Sequence, residues 1–263
     1  MSASPVGRAV RVAGGELWVH LWGEVDAEPV LAIHGITASG MAWNAVADRL
    51  VAPLVAPDLR GRGASRAGGP YGMGTHAEDC VRVLDELGVE RARVVGHSMG
   101  GFVAAVVARR YPDRVARLVL VDGGVSLPAP DGDPDTLLGP AAERLRMTFA
   151  GREAYRDFWR AHPAFRDWSP AIESYVDHDL GPDGRSRVVE EAMRADFVDL
   201  HRGAVPVPPG TPFLRAERGL LDEVPPLYPD PPLGLDVRTV PDSNHYSILF
   251  ADAGVSAVAA ALG

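Results

Sequence analysis

The stretch VVGHSMGGFVAAVVARR, residues 94–110, decides the fold because it runs from an apolar strand into a helix without a spacer. One hydroxyl, that of Ser98, lies at the junction between Gly96 and Gly100. The pattern G-x-S-x-G is typical of a sharp strand-to-helix turn that holds a serine in strained backbone geometry. Small residues also suit a turn without chemistry, but the flanking strand and helix favour a nucleophilic Ser98 at the positive end of the helix.

Short apolar strands alternate with helices along most of the chain. The segments that contain strands are PVLAIHG (29–35), LVAPDLRGRGAS (54–65), RVVGH (93–97), VARLVLVDGG (115–124), TPFLRA (211–216) and LDVRTVPDSNH (235–245). Residues 9–12 and 16–22 predict an antiparallel hairpin ahead of them. Residues 75–88 predict an amphipathic helix with Thr75 and Glu78 as a capping box. The alternation indicates an α/β protein with a mostly parallel, doubly wound sheet that is covered on both faces.

The alternation of short strands and helices stops after residue 124 and resumes near residue 206. The sequence between these points is helical in pattern, rich in aromatic residues and interrupted by prolines, with no convincing strand. The simplest organisation is a discontinuous core, residues 1–124 and 206–263, with a helical cap inserted over residues 125–205.

The composition excludes several classes of chemistry. The 263 residues carry 26 basic and 35 acidic side chains, a net charge of −9, which argues against nucleic acid or an anionic membrane as partner. Every basic residue is arginine, so a Schiff-base lysine and a P-loop lysine are both excluded. The single cysteine, Cys80, excludes an intrachain disulfide and a cysteine metal cluster. Without a secretory signal or a membrane-spanning apolar run, we expect a soluble cytoplasmic protein.

A nucleophilic serine needs a general base, and His245 in VPDSNHYS is the strongest candidate. It follows the last strand and precedes the final helix, where an imidazole can reach back over the sheet. Five other histidines fall in the hairpin or on helical segments that we expect to be exposed: His20, His76, His162, His178 and His201. His97 should point away from Ser98, and His34 should pack against or hydrogen-bond its own loop.

The negative charge that develops on an attacked carbonyl needs N–H donors. The backbone N–H of Met99 becomes available at the turn itself. The second donor should come from the loop HGIT, residues 34–37, in which Gly35 lets the chain turn and Ile36 offers its amide. An ordinary turn is the alternative interpretation of this loop.

The order HG…DxRGxGxS…GHSMGG…VD…H resembles the α/β-hydrolase fold superfamily, in its cap-bearing branch of esterases, lactonases and C–C bond hydrolases. The resemblance extends over essentially the whole core. The segment DLRGRGAS, residues 58–65, matches a loop of that family, and we interpret it as scaffold. Because the nucleophile is serine and not aspartate, the resemblance excludes haloalkane dehalogenase and epoxide hydrolase chemistry.

The acidic member of the triad is where the chain departs from the family pattern. Relatives usually carry it in a Gly-x-x-Asp segment after the strand that follows the cap, but this chain reads AERG there, residues 216–219. Asp222 lies three residues further on, and Glu217 is a weaker choice. Asp122, directly after the strand RLVLV, matches the position that some members of the fold use. We prefer Asp122 and keep Asp222 as the alternative.

The resemblance implies a serine hydrolase that cleaves a carboxylic ester or a related acyl bond through an acyl-enzyme on Ser98. Its partner would be a small, apolar acyl or ester substrate, with no cofactor and no metal, because no coordinating cluster or nucleotide loop is apparent. Candidate residues of the substrate pocket are His34, Gly35, Phe149, Phe158 and Trp159. Alternatively, the aromatic residues form the core of the cap.

Three other functions share the same residues. An acyltransferase or a cofactor-free peroxidase would use the same triad on another acceptor. A non-catalytic ligand-binding member of the fold would bind a substrate-like molecule without turnover. Product analysis with alcohol or peroxide acceptors, and turnover of p-nitrophenyl esters, separate these functions from hydrolysis.

Overall fold

The computed structural model describes residues 4–25, 28–126, 134–203 and 205–263. Eight strands lie within these ranges: β1 (Val6–Val12), β2 (Gly15–Trp22), β3 (Val30–Ile33), β4 (Leu54–Pro57), β5 (Ala92–His97), β6 (Val115–Val121), β7 (Pro212–Ala216) and β8 (Asp236–Val240). The described helices are α1 (Asn44–Ala47), α2 (Met73–Glu86), α3 (Met99–Arg110), α4 (Pro134–Arg146), α5 (Arg152–Arg160), α6 (Pro170–Asp179), α7 (Glu190–Leu200) and α8 (Asp252–Leu262).

The strands form a single sheet in the order β1-β2-β4-β3-β5-β6-β7-β8. β1 and β2 pair antiparallel with Val10 opposite Leu17, which confirms the predicted hairpin, although β1 already begins at Val6. β2 is also antiparallel to β4. All other neighbours are parallel. The predicted mostly parallel α/β sheet is therefore confirmed.

The central strands are buried on both faces of the sheet, as their unbroken apolar sequence predicts. In β5, Val94 packs in the same core cluster as Leu84 of α2. Its neighbour Val95 packs in a second cluster with Val258 of α8. Because successive side chains of a strand point to opposite faces, these two clusters cover the two faces of one sheet.

Helix α2 begins earlier than the sequence predicts, and the predicted capping box is wrong. Its N-cap is Gly72, which has no side chain to cap with. The backbone N–H of Met73 instead donates to the carboxylate of Asp199, at 2.8 Å. A residue of α7 therefore supplies the cap that Thr75 was expected to provide.

Helices α4 to α7, here named the inserted helices, lie between β6 and β7 in the chain. In the described part of this segment, strand pairing is limited to an isolated bridge between Leu180 and Ser186. The inserted helices contact the core through α7, as at Asp199, and through α6, where the side chain of Asn44 donates to the carbonyl of Ala171, at 2.8 Å. The boundaries 1–124, 125–205 and 206–263 remain a prediction. Every helix within the described ranges is too short or too polar to span a membrane.

Candidate active site

Ser98 stands alone at the turn between β5 and α3, because β5 ends at His97 and α3 begins at Met99. Its backbone has φ 55° and ψ −125°, a conformation that residues other than glycine rarely adopt. A side chain at Gly96 would overlap the carbonyl oxygen of Gly100. The close approach of β5 and α3 therefore explains Gly96, and a side chain at Gly100 would overlap the carbonyl oxygen of Ile33 in β3.

Asp122 and His245 form a buried hydrogen-bonded pair beside this turn. Nδ1 of His245 donates to Oδ2 of Asp122 at 2.7 Å. The other carboxylate oxygen, Oδ1, accepts from the backbone N–H of Ala216 at 3.1 Å. Because Nδ1 carries the proton, Nε2 keeps the lone pair that a general base needs. His245 and Ser98 line the same cavity.

The backbone of His245 is anchored on both sides. Its N–H donates to the carbonyl of Gly219 at 3.3 Å. Its carbonyl accepts from Nε2 of His97 at 2.8 Å. Burial lowers the pKa of His97 well below its ordinary value, so this ring is neutral. We expected His97 to point away from Ser98; its ring lies 4.7 Å from that of His245 between centroids, and His97 lines the cavity together with Ser98.

The two alternative acids, Asp222 and Glu217, bond to groups other than the ring of His245. Asp222 accepts hydrogen bonds from Arg218 at 2.6 Å and from the side chain of Asn244 at 3.0 Å, and it pairs with Arg166. Burial raises the pKa of Asp222, but these hydrogen bonds outweigh burial and the pKa is lowered. Glu217 accepts from the backbone N–H of Asp242 at 3.0 Å. Both carboxylates thus hold the loops around the histidine, whereas Asp122 contacts its ring.

The loop after β3 approaches the serine at Gly35, where an added Cβ would lie 3.2 Å from the Cβ of Ser98. His34 is fully buried, and both of its ring nitrogens bond to the backbone. Its Nδ1 donates to the carbonyl of Gly35 at 2.8 Å, and its Nε2 accepts from the N–H of Leu59 at 2.9 Å. Burial lowers the pKa of His34 to about 3. His34 therefore shapes the loop and does not line the cavity, contrary to its assignment as a pocket residue.

A buried arginine holds the carbonyl group of Ile36 in place. Nε of Arg62 donates to the carbonyl of Ile36 at 3.0 Å. The same guanidinium pairs with Asp196 of α7 at 2.5 Å, and both side chains are fully buried. Holding the carbonyl orients the peptides of this loop beside Ser98. Met99 is the first residue of α3, where a backbone N–H has no partner within the helix.

The cavity at Ser98 is small and uncharged. It encloses about 60 Å³, whereas a cavity that holds benzene is about 150 Å³. Its aromatic lining comes from Tyr175, Tyr246 and Phe250, none of which the sequence analysis singled out. Burial raises the pKa of both tyrosines, so their hydroxyls are neutral. Tyr246 and Phe250 follow His245 within five positions, so their closeness in sequence to the candidate base could have predicted that they line the cavity.

Three predicted pocket residues, Phe149, Phe158 and Trp159, pack against one another instead. Phe149 and Phe158 lie 5.4 Å apart between ring centroids, and Phe158 and Trp159 lie 5.8 Å apart. The described lining of the cavity does not include them. Their packing matches the alternative in which they form the core of the inserted helices. Trp159 is connected to the cavity through the ring of Phe165, which contacts both Trp159 and Tyr246.

Two of the histidines that were expected to be exposed are buried. His20 is 4% exposed and lies 3.2 Å from Asp58. His76 is fully buried and lies 2.9 Å from Asp196. The carboxylate partner lowers the free-energy cost of burying each histidine, because the ring N–H keeps a hydrogen bond. The partners lie 38 and 120 residues away, beyond the reach of a local sequence pattern.

Comparison with known proteins gives a consistent result. The sequence profile of the alpha/beta hydrolase fold matches residues 28–161. Lipase LipV of Mycobacterium tuberculosis is 33% identical over 219 residues, which is 77% of this chain and 79% of that protein. A putative carbamate hydrolase, RutD of Caulobacter segnis, is 38% identical over 112 residues, 40% of this chain and 41% of that protein.

Among solved structures, E-2-(acetamidomethylene)succinate hydrolase superposes with a TM-score of 0.78. The match covers 97% of each chain at 23% sequence identity, so it supports the fold alone. The profile match and the lipase relative each extend over half of the chain or more. The chain therefore belongs to the alpha/beta hydrolase fold family, and we conclude that it is a hydrolase.

Proposed function

We propose that this hydrolase cleaves carboxylic esters through an acyl-enzyme on Ser98, with His245 as general base and Asp122 as the acid that orients it. The observation that carries the proposal is the 2.7 Å hydrogen bond from His245 to Asp122 beside a strained serine. This contact leaves Nε2 of His245 as an acceptor on the side away from the carboxylate. A neutral acceptor of that kind is what activates a serine hydroxyl.

The reaction has two halves. His245 takes the proton of Ser98 as Oγ attacks the ester carbonyl, and the amides of Ile36 and Met99 stabilise the oxyanion. When the ester bond breaks, His245 gives that proton to the departing alcohol. Water then attacks the acyl-enzyme with His245 again as base, which releases the acid and restores the serine.

The cavity supports a small acyl group without charge. Its described lining contains no charged side chain, and its volume of about 60 Å³ leaves no room for a long chain without rearrangement. The relative named as a lipase favours an ester as the scissile bond. The relative named as a putative carbamate hydrolase makes a carbamate the second candidate. We infer that short-chain esters are the preferred substrates.

The proposal is tested with p-nitrophenyl acetate, butyrate and octanoate, together with a lactone, a thioester and an aryl carbamate. The wild type should hydrolyse acetate or butyrate fastest, and Ser98→Ala should lower kcat roughly 10⁴-fold or more. Ser256→Ala is the matched control, since Ser256 bonds to Arg49 on the surface, and it should keep full activity.

Three results contradict the proposal. Turnover that survives Ser98→Ala would exclude the acyl-enzyme on this residue. Product that appears only when an alcohol or peroxide acceptor is added would identify an acyltransferase or a peroxidase. Binding of the esters without turnover by the wild type would identify a ligand-binding protein.

A further inference from the structure

A second cluster of titratable groups lies outside the catalytic cavity. It consists of His20 on β2, Asp58 directly after β4 and His178 on α6. Nε2 of His20 lies 3.2 Å from Oδ1 of Asp58, and Nε2 of His178 lies 2.8 Å from Oδ2. One atom of each residue lies within 4.8 Å of the other two. Within the described ranges, this is the group of three such side chains whose arrangement could hold a metal ion.

The carboxylate of Asp58 is rigidly held. It is fully buried, and its two oxygens accept the backbone N–H groups of Gly40 and Ala64, each at 2.8 Å. These bonds fix the plane of the carboxylate in the way that outer contacts orient metal ligands. Burial raises the pKa of Asp58, but the hydrogen bonds from His178 and His20 outweigh it and hold the pKa far below its usual range.

Two arginines of the same loop as Asp58, Arg60 and Arg62, pair with other carboxylates. Arg60 makes a buried bidentate contact with Asp79, at 2.5 and 2.8 Å. Arg62 pairs with Asp196. The described ion pairs of Asp58 are therefore with histidines and not with these arginines, which leaves its carboxylate available to a cation. The side chain of His178 is 21% exposed and offers an entry path from solvent.

From these observations we propose that His20, Asp58 and His178 bind a divalent transition-metal ion, with Zn²⁺ the best match. Two imidazoles and one carboxylate are a ligand set that zinc takes in proteins, and water would complete the coordination. Two ligand atoms on a tetrahedral zinc lie about 3.4 Å apart, given bond lengths near 2.1 Å. His20 and His178 lie 3.2 and 2.8 Å from the two oxygens of Asp58, and one ligand atom of each of the three residues lies within 4.8 Å of the other two, so side-chain rotation must bring the three ligand atoms to the metal.

Metal binding requires that the proton on Nε2 of each histidine moves to Nδ1. In the metal-free protein the Nε2–H of each ring donates to Asp58, so this proton must leave Nε2 before that atom can bind a metal. On binding, each ring moves its proton from Nε2 to Nδ1 and presents the Nε2 lone pair to the metal. Neutral histidines therefore release no proton, whereas protonated histidines must lose one, and acid competes with the metal.

The site would join the inserted helices to the sheet. His178 belongs to α6, whereas His20 and Asp58 belong to the core. Tyr175, which lines the catalytic cavity, precedes His178 by three positions and thus lies on a neighbouring part of the same helix face. A metal at His178 would fix α6 against the core without touching the reacting atoms. The ion is structural in this proposal.

The experiment uses tag-free, chelator-treated protein and Zn²⁺ alone, with isothermal titration calorimetry and metal analysis after dialysis. The wild type should take up one Zn²⁺ per chain, and His178→Gln should weaken the affinity about 100-fold or more. Glutamine can still donate a hydrogen bond to Asp58, which keeps the fold intact. The matched control is His201→Gln, because His201 bonds only locally, to the carbonyl of Phe197, and it should bind as the wild type does.

The result is independent of enzyme activity, so it stands or falls separately from the proposed esterase function. If the wild type takes up no Zn²⁺ at micromolar concentrations, the cluster is a hydrogen-bonded clasp and the proposal is overturned. Equal uptake by the wild type and His178→Gln would overturn it as well, since the metal would then bind elsewhere.

Discussion

Replacing Asp122 with asparagine tests the proposed triad most directly, because the structure predicts which way the new amide would lie. Oδ1 of Asp122 accepts the backbone N–H of Ala216. In Asp122→Asn the amide oxygen keeps this bond, so the NH₂ group takes the place of Oδ2 and faces Nδ1 of His245. Nδ1 must then accept, and the ring proton moves to Nε2. The base therefore presents an N–H to Ser98 where it needs a lone pair.

The wrong tautomer lowers kcat about 10⁴-fold in serine hydrolase triads. That factor corresponds to about 5 kcal/mol of lost transition-state stabilisation. We expect a loss of this size for Asp122→Asn, with KM little changed, because Asp122 does not line the cavity. The fold should survive, since the substitution preserves shape and the bond to Ala216.

The assay is steady-state hydrolysis of the best p-nitrophenyl ester, with circular dichroism to check folding. Asp222→Asn is the matched control, because Asp222 bonds to Arg218 and Asn244 and should change kcat less than tenfold. Retention of more than a tenth of the activity by Asp122→Asn would refute the assignment. So would an equal loss in Asp222→Asn, which would place the acid in the β7–β8 loop.

Two further predictions concern stability and specificity. Because His34 has a folded pKa of about 3 against 6.5 when unfolded, its contribution to stability is complete above pH 6.5 and falls by about 1.4 kcal/mol per pH unit below it. Urea unfolding at pH 6.5, 5.5 and 4.5 should show a fall at least this steep, because the lowered pKa of His97 acts in the same direction, and His34→Gln should flatten it; an unchanged slope would contradict the assignment. Phe250→Ala should enlarge the cavity and raise kcat/KM for longer acyl chains about fourfold per added methylene relative to acetate. Phe158→Ala, outside the described lining, should leave that ratio unchanged, and an equal change in both variants would contradict the cavity assignment.

The turn at Ser98 could be predicted from sequence because the residues that form it are adjacent in the chain. Gly96 is required by its close contact with Gly100 at the start of α3, whereas Gly100 is required by the backbone of Ile33 and His34, which is distant in sequence. The parallel sheet was predictable for a similar reason, since each buried strand is a short apolar run followed by its helix. His245 could be predicted as the candidate general base because it follows the last strand, whereas the positions of the other seven histidines suit a base less well.

Contacts between distant segments could not be predicted in the same way. The cap of α2 comes from Asp199, 126 residues beyond Met73. His178 and Asp58 are 120 residues apart, and no spacing rule connects them. The choice between Asp122 and Asp222 also depended on how two loops fold over the sheet. In each case a carboxylate contacts a partner that is brought to it by three-dimensional packing, for which the sequence holds no periodic signal.

The loop between β4 and α2 connects the catalytic loop to the inserted helices. Arg62 of this loop bonds to the carbonyl of Ile36 and pairs with Asp196 of α7. Asp58 of the same loop bonds to His178 of α6. Breaking a buried charged pair costs about 3–5 kcal/mol. A swing of α6 or α7 away from the core would break such contacts and also release the Ile36 peptide.

Substrate entry must therefore use a less costly movement, because a cavity of about 60 Å³ has to enlarge before it accepts an ester. Leu220 lines the cavity, follows β7 and is 40% exposed, so its side chain can move without breaking a charged contact. Phe250 also lines the cavity and is half-buried, so its ring can turn when Leu220 moves. We therefore expect the entrance to lie between Leu220 and Phe250, with the inserted helices held in place throughout the reaction.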